Sequence, residues 1–222
     1  MSKKRFSISY NAPLTLSYTL VCTAILLLNT ILLGKDIVQA VFTAPCAPFM
    51  AKNPLSYIRL FTHIFGHSDW NHLLGNFAFF ILLAPLMEER YGTKILALMV
   101  AITTFVTGVV NACFVPHSMM GADGIVFMLI VLSSMTALEK KKIPATLLLM
   151  VAIFLGKEFI GANKITCISA VVHIFGGICG SLFGLLSAPK VKRQRNTVKH
   201  DDKTILKTTA IKTKTTSKTL AV

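Results

Sequence analysis

Six apolar runs, each close to the length that crosses a bilayer, constrain this chain more than any other feature. They fall at about 14–34, 71–87, 94–114, 122–138, 144–161 and 168–188. A spanning helix needs roughly 17–25 largely apolar residues. Inside hydrocarbon every backbone N–H and C=O must be satisfied within the protein, and a helix does this within one segment. The expected fold class is therefore an all-α polytopic membrane protein with six transmembrane helices. Composition agrees, since only 14% of residues are charged against about 25% in an ordinary soluble domain.

The net charge is +14, which on a soluble protein would suggest nucleic acid. Its placement argues otherwise. Ten of the 23 Lys and Arg follow residue 189, and most others flank apolar runs. Lys and Arg favour cytoplasmic loops. With the N-terminus inside, 18 basic residues fall inside and five outside, so both termini are expected in the cytoplasm. Residues 1–13 then form a basic cytoplasmic N-terminus, 14–188 the membrane domain, and 189–222 a basic tail. The tail repeats Lys and Thr with few large apolar residues, so disorder is expected, with contact to anionic membrane lipid. No nucleic acid is expected. The segment 35–70 is too polar and Pro-rich to cross, and is expected to fold against the helices or enter the interface. Five cysteines occur without CxxC spacing, so neither a disulfide framework nor a zinc site is indicated. The first apolar run lacks a small-residue cleavage site and reads as a retained span.

Ionisable groups inside spans are costly and mark functional sites by default. Three places need explaining. His72 and Asn76 stand four apart at the start of the second run, so they share one helix face. Both can donate hydrogen bonds and could together hold an oxyanion; a polar pair near the helix start is the competing reading. Gly121-Ala-Asp123-Gly124 opens the fourth run, where flanking glycines permit a tight backbone and close approach. A plain turn with Asp123 as N-cap reads the same residues. His173 lies mid-run in the sixth, followed by Gly176 and Gly180 on one face, which allow close helix packing. A structural hydrogen bond from His173 to a neighbouring helix is the alternative.

Taken in order, these pieces resemble the rhomboid family. Its pattern is HxxxN in the second core helix, GxSG opening the fourth and HxxGxxxG in the sixth. Here they read His72-x-x-x-Asn76, Gly121-x-Asp123-Gly124 and His173-x-x-Gly176-x-x-x-Gly180. Arg59-Leu-Phe-Thr62-His63, His67 and Glu88-x-Arg90-x-Gly92 add supporting matches, and the likeness covers roughly residues 14–188. It implies a rhomboid-like six-helix bundle with intramembrane serine endopeptidase architecture and no cofactor. By position His173 is the general base, His72 and Asn76 are the oxyanion donors, and Gly121 and Gly124 shape the site backbone. The nucleophile position holds Asp123 instead of Ser.

That departure is expected to silence proteolysis. Attack by a carboxylate on a peptide gives a mixed anhydride, a far worse intermediate than an ester. Ionised Asp123 would also repel the oxyanion and attract its donors, and a closed polar network of Asp123, His72, Asn76 and His173 is expected. Ser118, Ser133 and Ser134 lie off the Gly-flanked position. The expected function is binding of transmembrane segments of other membrane proteins without cleavage. The alternative is an active Ser–His protease whose unaltered sequence has Ser at 123. A metal site on Asp123, His72 and His173 is a third reading, but the ordered motifs account for the same residues better. A bacterial plasma membrane is the expected setting.

Overall fold

The computed structural model describes residues 12–33, 40–50, 52–138 and 166–186, with Val38 and scattered positions between 145 and 156. Helix α1 spans Pro13–Leu28 and runs on as a π-helical turn, Asn29–Leu33. A short helix α2 covers Pro54–Thr62 and passes into a 3₁₀ turn at His63–Phe65. Then follow α3 (Trp70–Tyr91), α4 (Thr93–Phe114), α5 (Asp123–Leu138) and α6 (Thr166–Leu186). Five of the six expected runs are thus helices. The run at 144–161 lies largely outside the described residues, as do the basic N-terminus and the tail.

Among the described residues three helices are long and apolar enough to cross a membrane: Pro13–Ile31, Trp70–Tyr91 and Thr93–Phe114. The expected end of the second run at residue 87 is four residues short. The helix continues until Gly92, whose φ of +84° stops it, and α4 starts at the next residue. The two helices therefore reverse on one glycine. Its N–H donates to the Glu88 carbonyl at 2.9 Å.

Helix α5 is the axle of the bundle. Ile125, Val126, Met128, Leu129, Ile130 and Leu132 are all buried, the pattern of a helix apolar all round. Its 16 residues rise about 24 Å at ~1.5 Å each, less than the ~30 Å hydrocarbon layer. Enclosed by its neighbours, it has no need to reach both surfaces, so Asp123 at its start sits within the bundle.

Packing of α6 on α5 is backbone against backbone. A Cβ on Gly176 would collide with the carbonyl oxygen of Gly124, and one on Gly180 would stand 2.5 Å from that of Met128. Because 176 and 180 match 124 and 128 in order, the two helices run parallel. The chain therefore leaves α5 at one end of the bundle and enters α6 at the other.

The segment before α3 does lie against the helices. Arg59 Nε donates to the Thr43 carbonyl and Thr62 Oγ1 to that of Val41 at 2.6 Å. Buried Asn111 on α4 donates to the carbonyls of Pro45 and His117, at 2.9 and 3.1 Å. Ala44 N–H reaches Met119 O at 2.7 Å, and Ala47 N–H reaches Val115 O at 2.8 Å. Residues 40–50 are so tied to the loop that leads into α5. The outward face of α2 carries exposed Tyr57, Ile58 and Phe61, while Ser56 and Leu60 are buried, the habit of a helix lying in an interface.

Candidate active site

The site forms where α3, α5 and α6 begin. Asp69 caps α3, its Oδ1 accepting from the His72 N–H at 2.9 Å. This is ordinary N-cap chemistry. It also fixes the first turn, from which the His72 ring projects. Ser68 Oγ donates to Asp69 Oδ2 at 2.8 Å and lies 3.2 Å from His72 Nδ1. Asp69 is held below the usual carboxylate range, first by the His72 N–H and then by Ser68.

With Nδ1 engaged on that side, the other ring nitrogen faces α5. His72 Nε2 stands 3.1 Å from Asp123 Oδ2. Gly121 lets them meet. Its φ is +115°, and a Cβ there would come within 2.7 Å of His72 Cε1 and 2.8 Å of Nε2. Its N–H donates to the His63 carbonyl at 3.0 Å, which locks the loop to the segment before α3. Gly124, one residue beyond Asp123, lies under Thr107, whose Cγ2 would be 2.9 Å from a Cβ. Its own carbonyl receives Gly176. Gly121 and Gly124 thus each admit a different neighbour.

Asn76 is one turn below His72 and fully buried. Its Oδ1 and Nδ2 have no hydrogen-bond partner among the described residues. The expected closed network therefore does not take in Asn76: the carboxylate meets the imidazole at the mouth, one turn above the amide. His173 is buried on α6, one turn before Gly176, with its ring 6.5 Å from that of Phe127. The parallel packing puts it at the end of the bundle where Asp123 begins α5. Ser133 and Ser134 spend their hydroxyls on carbonyls of their own helix, at 2.8 and 2.6 Å, and Ser118 stays in the loop before α5.

His63 and His67 complete the surroundings. Both are buried, and burial pushes each imidazole down to about 4. For His67, repulsion by the His72 ring adds to this; the two rings are 5.2 Å apart. Sequence reading missed Ser68 and Asp69, although Ser-Asp before an apolar run is a helix-start signal. It also missed Thr107, for which no local signal exists. Among the described residues no three His, Cys, Asp or Glu side chains converge as a metal site.

The arrangement has one chemical property that matters. A donor able to stabilise an oxyanion is already bonded to a carboxylate. The family model described as Rhomboid domain matches residues 54–190, more than half of the chain and every residue of this site. The chain belongs to the rhomboid family. No curated protein matches it. Membership of that family implies an intramembrane-protease-like architecture, a bundle of membrane helices.

Proposed function

We propose that this rhomboid is a pseudoprotease: it binds transmembrane segments of other membrane proteins and does not cleave them. The observation that carries the reading is the 3.1 Å contact between His72 Nε2 and Asp123 Oδ2. In a proteolytic rhomboid the residue at 123 attacks the scissile carbonyl, and His72 with Asn76 steadies the oxyanion. Here a carboxylate takes the nucleophile position and one of the donors at once. An incoming carbonyl oxygen would have to displace it, and would meet a negative charge in doing so. Loss of a serine nucleophile alone costs about a million-fold in rate. His173 keeps the base position but has no hydroxyl to deprotonate. The excess of Lys and Arg in the segments on the membrane side that holds the N-terminus, 18 against five on the other, supports a topology with both termini cytoplasmic.

The test is cleavage of a helix-destabilised transmembrane substrate by purified protein. The native chain is expected to be silent, Asp123→Ser to cleave, and Asp123→Ser with His173→Ala to be silent again. Photo-crosslinking should capture the same substrate on the native chain. Cleavage by the native chain, or no crosslink, would overturn the proposal.

A further inference from the structure

A second site lies away from residue 123, between α2 and α4. A cavity of about 250 Å³ is lined by Phe49, Tyr57, Leu60, Phe105, Val109 and Ala112, with Cys113 at its end. Its wall is entirely apolar. Leu60 and Ala112 close its back, while Tyr57, Phe105 and Cys113 are exposed at its rim.

The cavity has a direction. Phe105 and Cys113 lie on one helix about 12 Å apart along its axis, at ~1.5 Å per residue. Cys113 is in the last turn of α4, which ends at Phe114, beside the loop that leads into α5. The cavity therefore runs from the interface down into one leaflet, alongside a membrane-crossing helix. At its upper end Phe49 and Tyr57 meet edge to face, with ring centroids 5.4 Å apart. The turn between these two residues carries Lys52, which is exposed, and α2 is capped there by Asn53. An apolar groove beside a membrane-crossing helix, with an exposed cation on the segment joining two of its lining residues, has the two parts that suit an anionic phospholipid.

We propose that this groove holds one anionic phospholipid, an acyl chain in the cavity and its phosphate at Lys52. The lipid would bridge α2 to α4 and so brace the segment that carries Arg59 and His63. The site is independent of whether residue 123 supports catalysis.

Native mass spectrometry of the detergent-purified chain, equilibrated with dioleoyl phosphatidylglycerol or dioleoyl phosphatidylcholine, tests this. One retained phosphatidylglycerol per chain is expected, at least several-fold above phosphatidylcholine. Lys52→Glu, an exposed change, should remove that preference. Val109→Trp fills the slot and should abolish retention of either lipid. Cys113→Trp, at the exposed rim, should do the same where Val109→Trp fails to fold. Equal retention of the two lipids overturns the proposal. So does undiminished retention in the folded Trp variants. Displacement of the lipid by a transmembrane peptide at equal concentration would make the groove a protein-docking surface and overturn it as well.

Discussion

His63 and His67 sit in the segment that leads into the site, and both are neutral because burial disfavours their charged form. An unfolded histidine titrates near 6.5, and these two titrate at about 4. Above pH 6.5 neither state binds the proton, and the full stability is present. As pH falls from 6.5 towards 4 the unfolded chain takes up protons first, so stability is lost across that window. At about 1.4 kcal/mol for each pH unit by which a value is moved, the pair costs on the order of several kcal/mol. Thermal unfolding in detergent should show the midpoint dropping between pH 6.5 and 4.5, and the double variant His63→Phe, His67→Phe should flatten that slope. Residue identity was the most legible level of this protein. His72, Asp123 and the glycines around them stood out as polar groups and turns in apolar runs, and the order of the motifs, not the spacing of any one, joined them into a site. The contact of Asp123 with His72 belongs to the expected network; that Asn76 would find no partner among the described residues was not legible, because it depends on which side of the His72 ring Ser68 and Asp69 occupy.

Helices carry a different kind of information. Periodicity and length located five of them to within a few residues, because a run that must satisfy its backbone in hydrocarbon has little choice of structure. What joins them was legible only in part: Gly176 and Gly180 read as a packing face, but nothing in the spacing tied Glu88 to the start of α1. Glu88 is buried on α3 and accepts from Leu14 N, Thr15 N and Thr15 Oγ1, at 2.8, 3.0 and 2.9 Å. Thr93 Oγ1 adds a fourth bond at 2.8 Å. One carboxylate thus caps the start of α1 from more than seventy residues away in the chain. Glu88→Gln weakens these charge-assisted bonds and should cost on the order of 1–3 kcal/mol, read as a lower unfolding midpoint. Gly180 is the second joint. Gly180→Val sets a branched side chain against the Met128 carbonyl and should cost roughly 1–3 kcal/mol or more by overpacking. In the Asp123→Ser background it should also abolish cleavage, since moving α6 moves His173.

At the scale of the whole molecule, α1 begins beside the end of α3, because Glu88 caps it, and α3, α5 and α6 begin together at the opposite face. Every polar group of the site therefore belongs to one side of the bilayer. The basic residues Arg90 and Lys94 flank the turn at the other side. Reporter fusions at the two ends of the chain should both read as cytoplasmic, and a cysteine placed at residue 118 should be labelled from the opposite side only. A reporter on either end that reads as external would refute the orientation.

Gly176 and Gly180 seat α6 on carbonyl oxygens, and main chain is the same whatever side chain stands next to it. The distance from His173 to residue 123 is accordingly set by parts that do not know what residue 123 is. Such a scaffold can lose its chemistry and keep its shape. On the reading proposed above, a change between holding and cutting would then need no more than a new residue at position 123.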